Sequence, residues 1–268
     1  MVTFDAKFLS EVVRMALKVQ RYFLPESFQN YNHLVWSAEH KTAAVIDPFD
    51  WAAAEHEAQQ LGVHLQEIWL THGHGDHIRG VPANFSGRII GHVDLASQLN
   101  ITQPVDQATS FEFAGERIEV LLTPGHIPDH ICFFLPNVPA LIAGDTLFNA
   151  GVGNTRSGDT PTLYRSIQRL KKLPAETQVY NGHDYFLTNL KFTESVVGST
   201  EITRHWISQC EKATPDTRPI TTIGDELQYN LFLNTEREEI IKSLDKQGFK
   251  TDSSESTFAA LRNLRDQW

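Results

Sequence analysis

The chain of 268 residues carries only two cysteines, Cys132 and Cys210. Neither belongs to a C-x-x-C pair, so neither a disulfide framework nor a thiolate metal cage is expected. A reducing cytoplasm is the expected compartment. No apolar run reaches the roughly 18 residues of a membrane-spanning helix. Basic residues are in deficit, 23 against 33 acidic ones, and the formal net charge is −10. That balance offers no electrostatic footprint for nucleic acid or for an anionic membrane, and neither partner is expected. A G-x-S-x-G turn is missing too, so no side-chain nucleophile of that kind is expected. Internal repeats and low-complexity stretches are lacking, which excludes a solenoid. What remains is 41% hydrophobic and 21% charged, ordinary for a globular protein that buries a real core.

At the N-terminus Asp5, Lys7, Glu11 and Arg14 interrupt what would be the apolar region of a signal peptide. Phe4, Phe8, Leu9, Val12, Val13, Ala16 and Leu17 recur instead at helical spacing. The expectation is an amphipathic helical extension over 1–18, packed on the body. Up to about residue 185, short β-rich runs dominate: "HLVW", "AAVID", "EIWLT", "RIIGH", "IEVLLT", "ICFFL", "ALIAG" and "TQVYNG". Helical patterns lie between them, one ending on Gly62 and one stopping before Pro174. The mixture predicts an α/β fold, two sheets with helices outside. Beyond 186 four helical segments follow, with "TPDTRPITTIGDELQYN" as a long connection among them. The expected organisation is a unit over 1–185 and a helical one over 186–268.

Within "THGHGDHIRG", His72, His74, Asp76 and His77 crowd into six residues, with Gly73 and Gly75 expected to let the backbone turn sharply. Three other apolar strands deliver a ligand-type residue just past their ends, each beside a glycine: His126, Asp145 and His183. Sites are commonly built from loops at one rim of a rigid scaffold. Five imidazoles and two carboxylates exceed the three or four ligands of one tetrahedral ion, and point to two ions sharing a carboxylate. Two divalent ions bring +4; two aspartates and a hydroxide bring −3, leaving a slightly electrophilic site suited to Lewis-acid hydrolysis. Zn, Fe and Mn all suit imidazole and carboxylate donors.

The set His72-x-His74-x-Asp76-His77 with His126, Asp145 and His183 resembles the metal signature of the metallo-β-lactamase superfamily. Within it, "TPGHIPDHICFF", "AGDTLF", "NGHDY…NLKF" and "LRNLRDQW" resemble, in order, the hydroxyacylglutathione hydrolases (glyoxalase II), from about Val19 to the C-terminus. The resemblance implies an αβ/βα sandwich of two mixed sheets plus a C-terminal helical, substrate-binding domain. It implies two divalent ions, zinc foremost, with iron or manganese as alternatives. His72, His74 and His126 would hold one ion, Asp76, His77 and His183 the other, and Asp145 would bridge them. A bridging hydroxide would attack a thioester carbonyl, with Asp76 orienting it, so Asp76 and Asp145 are the catalytic carboxylates. The implied substrate is a small glutathione-derived thioester such as S-lactoylglutathione, and the protein a monomer or homodimer.

The resemblance also places substrate contacts. Tyr185 matches the family's substrate tyrosine, and Arg262 and Arg265 match a basic pair for the glutathione carboxylate. The family's Lys and Tyr after the bridging Asp are replaced here by Asn154 and Arg156. Arg156 restores a cation, two residues displaced; Asn154 brings none. Arg262 and Arg265 can also be read as a solvated helix face. Three other functions are weighed: a mononuclear iron persulfide dioxygenase, a phosphodiesterase of the same superfamily, and a binding module that keeps the fold. The dioxygenase would need neither His183 nor the helical tail, and the acidic charge opposes an RNA substrate. His33, His40, His56, His64, His92 and His205 are assigned to structure or surface, and Cys132 to the core. His130 is left between a structural role and support of a ligand.

Overall fold

The computed structural model describes residues 17–25 and 28–268. The expected N-terminal helix falls mostly on 1–16, outside the described residues. Its last two positions differ from expectation: Leu17 is buried outside any helix and Lys18 opens a strand. That strand, KVQRYFL, pairs along its whole length with its neighbour, and pairing overrides any helical spacing.

The first sheet runs in hydrogen-bonded order through β1 (Lys18–Leu24), β2 (Asn30–Ser37), β3 (Thr42–Ile46), β4 (His64–Trp69), β5 (Arg88–His92) and β6 (Gln103–Val105). From β3 to β6 the strands are parallel. The second sheet contains β7 (Thr109–Phe113), β8 (Glu116–Leu122), β9 (Ile131–Leu135) and β10 (Ala140–Gly144). A small hairpin of β11 (Leu147–Phe148) and β12 (Gly151–Val152) follows, and β13 (Gln178–Asn181) returns to pair in parallel with β10. Strands β1, β6, β7 and the hairpin go beyond the runs picked out by composition.

The strands that carry the core are apolar on both faces because both faces are covered. In β9, Ile131, Phe133 and Leu135 meet the first sheet's Val35, Ile46, Trp69 and Ile90, while Cys132 and Phe134 face helices. Side-chain alternation alone makes this division. Helix α1 (Trp51–Leu61) covers the first sheet, capped by Asp50 accepting from Ala52 N and Ala53 N and closed by Gly62 at φ 68°. A one-turn α2 (Gly75–Ile78) follows β4, and α3 (Thr160–Leu170) covers the second sheet. The result is the expected sandwich with helices outside.

After β13 the chain is helical: α4 (Phe186–Val197), α5 (Glu201–Lys212), α6 (Ile223–Tyr229), α7 (Glu238–Lys246) and α8 (Ser254–Gln267). Phe192, Ile240, Leu244, Phe258 and Leu261 join Leu163, Ile167 and Val179 in one buried cluster, so packing is continuous across residue 185. The expected long connection contains α6. Thr222 caps it in a reciprocal box with Asp225, a start signal hidden among loop-forming residues.

Candidate metal centre

Strands β3 and β4 of one sheet, and β8, β10 and β13 of the other, end at a common rim. The sheets are tied there by Ile131 N donating to Thr71 O at 2.8 Å and Tyr31 N donating to Gly182 O at 2.8 Å, and within the second sheet Gly182 N donates to Gly144 O at 2.9 Å. The loops leaving this rim carry His72, His74, Asp76, His77, His126, Asp145 and His183, and all seven converge. The glycines of the motif act differently from expectation. Neither Gly73 nor Gly75 has positive φ among the described backbone angles. Gly75 begins α2, whose single turn brings Asp76 and His77 round to the strand-end histidines. Gly73 provides clearance, since a Cβ there would lie 2.7 Å from Asp129 Oδ2.

One group unites His72, His74 and His126, another Asp76, His77 and His183, with donor atoms in each within 4.8 Å of one another. Asp145 lies between them, Oδ2 3.7 Å from His126 Nε2 and 3.2 Å from His183 Nε2, Oδ1 3.5 Å from His77 Nε2.

Hydrogen bonds at the far ring nitrogens set the tautomers. Thr71 Oγ1 donates to Asp47 Oδ2 at 2.6 Å, so it accepts from His72 Nδ1 at 3.0 Å. His126 Nδ1 donates to Asn154 O at 2.7 Å, His183 Nδ1 to Phe28 O at 3.0 Å, and His77 Nδ1 to Asp47 Oδ2 at 2.9 Å. The Nε2 lone pairs of His72 and His126 therefore both face His74 Nδ1, each at 3.0 Å. Those of His77 and His183 face each other at 3.3 Å. Lone pairs aimed at one another repel unless a proton or a metal cation sits among them. Asp145 Oδ1, buried without a hydrogen-bond partner, is a further unused donor. A Cβ on Gly182 would fill this space, 2.3 Å from Asp145 Oδ1. The residues fit two cations.

The electrostatics agree. Burial holds His72 well below the ordinary histidine range, and lowers His74 as well, which keeps both rings neutral and able to coordinate. Burial opposes charge on His77 too, yet Asp145 and the hydrogen-bonded Asp47 push it up to about 9. Burial works to raise the Asp145 carboxyl, but His183 and His77 hold it well below its usual range. The pocket attracts positive charge.

Two supporting residues escape a reading by local pattern. Asp47, just past β3, is buried and takes Thr71 N at 2.7 Å besides Thr71 Oγ1 and His77. Its only local signal is an aspartate ending an apolar strand, the same signal that marked Asp145. His130, whose role the sequence leaves open, is fully buried, stacks on His72 with centroids 5.0 Å apart, and accepts from Asp145 N at 3.0 Å. His40, His56, His64 and His205 are exposed, His92 caps a turn, and His33 is buried outside the ligand groups.

A cleft of about 310 Å³ opens beside Asp145, and Asn154, Arg156, Tyr185, Arg262 and Arg265 all line it. They are not equally free. Arg262 is buried, donating to Val152 O at 3.0 Å, Gly153 O at 3.3 Å and Asp266 Oδ1 at 2.8 Å, so it is no solvated helix face. Arg265 packs beside the edge-to-face pair of Phe192 and Trp268, at 5.7 and 5.4 Å from their rings. Arg156 is exposed at the rim. Tyr185 stacks on His183, with centroids 5.1 Å apart, and burial pushes its phenol up to about 12.

The family model of the metallo-beta-lactamase superfamily matches residues 28–83 and 95–183, and that of the hydroxyacylglutathione hydrolase C-terminus matches 184–268. A hydroxyacylglutathione hydrolase of Chromohalobacter salexigens is 34% identical over 251 residues, 91% of this chain and 98% of that protein. Among solved structures, ETHE1 from Myxococcus xanthus superposes with a TM-score of 0.61 at 26% identity, over 94% of this chain and 98% of the other. TTHA1623 in a di-iron-bound form gives 0.52 at 26% identity, over 80% and 99%. The family implies a binuclear site for divalent metal ions. With the two models matching adjoining parts of the chain and a relative aligned over nearly its whole length, the chain belongs to the hydroxyacylglutathione hydrolases of the metallo-beta-lactamase superfamily.

Proposed function

We propose that this protein hydrolyses a hydroxyacylglutathione-type thioester, S-lactoylglutathione-like, using two divalent ions. His72, His74 and His126 would hold one, Asp76, His77 and His183 the other, and Asp145 would touch both. Zinc is the first choice of metal; the imidazole and carboxylate donors also suit iron and manganese, and a relative in a di-iron-bound form supports iron. Bound there, the ions supply Lewis acidity, making water a stronger acid and a carbonyl a better electrophile.

The chain's own residues supply the rest. Asp76 is the more open carboxylate, its side chain 21% exposed against 9% for Asp145, and Asn30 Nδ2 donates to its Oδ2 at 3.1 Å. It is placed to orient an attacking water toward the cleft. Asp145, walled in by histidines, serves as the fixed ligand between the two groups. Tyr185 keeps its proton at neutral pH and can donate to the substrate. A thiolate leaves readily, so no protonated side chain is required behind it. Arg265 and Arg156 give the cleft a positive wall for carboxylates of the thiol portion, and Arg262 shapes that wall.

A single observation carries this reading: a cleft lined by three arginines and Tyr185 opens beside a carboxylate lying between two ligand groups. We further propose a metal-binding unit over 1–185 and a helical substrate-binding unit over 186–268. Cytoplasmic placement is supported by Cys132 and Cys210, both unpaired and buried. The test is metal analysis of the purified protein with three assays: a hydroxyacylglutathione thioester, a glutathione persulfide and a phosphodiester. Two ions per chain with thioester turnover support the reading. One iron with oxygen uptake on persulfide, or turnover of the phosphodiester alone, overturns it.

A further inference from the structure

Glu226 is a carboxylate at 0% exposure, on α6, and the reaction described above does not use it. Burying such a charge is unfavourable unless its oxygens are filled. They are: Oε1 takes Thr221 Oγ1 at 2.6 Å and Tyr229 OH at 2.8 Å, and Oε2 takes Ala150 N at 2.8 Å and Asn230 Nδ2 at 2.9 Å. Four donors use the whole acceptor capacity of a carboxylate; burial still raises the carboxyl above its usual range, and the four hydrogen bonds counter part of that rise. Three of them are neighbours in sequence. The fourth, Ala150 N, is 76 residues away, in the turn of the β11–β12 hairpin.

That turn needs an external hold. Ala150 has φ 56°, in the left-handed region that a non-glycine residue avoids. Asn230, oriented by Glu226, also donates to Phe148 O at 3.4 Å and Gly151 O at 3.2 Å. Asn149 Nδ2 donates to Thr221 Oγ1 at 2.7 Å, and that hydroxyl donates onward to Glu226. Every residue from Phe148 to Gly151 is thus tied to this carboxylate or its ring of donors, and Asn149 O has a second hold from Asn189 Nδ2 on α4 at 3.0 Å. The hairpin forms one wall of the cleft, through Phe148, Val152 and then Asn154. Asp145 N is held separately by His130, and the rim by the Gly182–Gly144 bond, while His126 meets the wall at its far end, donating to Asn154 O at 2.7 Å.

We propose that Glu226 is a positioning residue, whose carboxylate fixes the Phe148–Asn154 wall in the shape that accepts the substrate's thiol portion. The inference rests on the thioester reading of the same cleft. Its removal disturbs the hairpin turn, and with it binding, ahead of the metal ligands. A residue that served folding alone would change stability and leave KM where it was.

The test is Glu226→Gln in the full chain, loaded with metal. The amide turns one acceptor oxygen into a donor that faces existing donors. Metal content, kcat and KM with the hydroxyacylglutathione thioester are measured, with deuterium exchange of the 147–154 backbone. The expected result is two ions per chain, kcat within about two-fold, KM raised about ten-fold, and faster exchange concentrated in the hairpin. An unchanged KM, or a KM that rises only as metal and kcat are lost, overturns the proposal. If Glu226→Gln does not fold, Asn230→Ala, which releases Phe148 O and Gly151 O, faces the same criteria. A wild-type protein inactive on the thioester sinks the functional reading by itself; unaltered hairpin exchange in the variants sinks this one.

Discussion

Replacing Asp47 with Asn keeps the shape of the side chain and removes its charge, which isolates what that charge does for the metal centre. Oδ1 of Asp47 takes Thr71 N at 2.7 Å; Oδ2 takes Thr71 Oγ1 at 2.6 Å and His77 Nδ1 at 2.9 Å. An amide offers one acceptor. With its oxygen in the Oδ2 position, Thr71 Oγ1 and His77 keep a partner, but the NH2 group faces Thr71 N–H, donor against donor. The opposite orientation loses two bonds, so the first prevails. At His77 a charge-assisted bond becomes a neutral one, a loss of about 1–2 kcal/mol. The unpaired Thr71 N–H costs a further ~1–3 kcal/mol of fold stability. Only the first loss acts on a ligand of a single group. The second ion should therefore bind about ten-fold more weakly, whereas the first, reached through Thr71 and His72, moves less. Competition against a graded series of chelators measures both affinities. The expected pattern is one ion lost early, with activity restored by excess metal. Two ions as resistant to chelation as in the wild type would refute the argument, because His77 would then need no anchor or would not be a ligand.

Three other substitutions test separate links. Asp145→Ala should lose metal and activity together, since the remaining imidazoles have no carboxylate between them; two ions retained per chain would rule out a shared role. Arg265→Ala should raise KM for a carboxylate-bearing thioester about ten-fold and leave a thioester of an uncharged thiol unaffected; equal effects on both would assign Arg265 to packing. His33 is fully buried, and burial lowers its pKa to about 3. Its unfolded value is near the ordinary 6.5, so below that pH the unfolded chain takes up a proton that the folded one refuses. Stability should fall on acidification at about 1.4 kcal/mol per pH unit on this account, between roughly pH 6.5 and 3. His33→Leu should remove that one-proton part of the slope, read from denaturant unfolding at several pH values; an identical slope in both proteins would place the uptake elsewhere.

Much of the fold was legible locally because strands buried on both faces are continuous apolar runs, as in "ICFFL" and "ALIAG". The Gly62 stop of α1 was legible because a left-handed C-cap favours one residue type. Strand β1 was not, since KVQRYFL mixes polar and apolar residues and owes its conformation to pairing with β2. Helix α6 was hidden because its start signal, Thr222 and Asp225, uses the same residues as a loop.

The seven candidate ligands could be picked out by type and position alone, because each is an imidazole or carboxylate set where an apolar run breaks at a glycine. That is a property of short stretches of chain. What holds those ligands was decided only in three dimensions. Asp47 steers a histidine thirty residues on, His130 carries the backbone of Asp145, and Glu226 grips a turn 76 residues away. Arg262 and Arg265 look alike in the chain, yet the fold commits the first to carbonyls and leaves the second packed beside two rings. A hydrogen bond between distant segments has no spacing to betray it; it exists once packing has excluded water from both partners and left each with nothing else to bind.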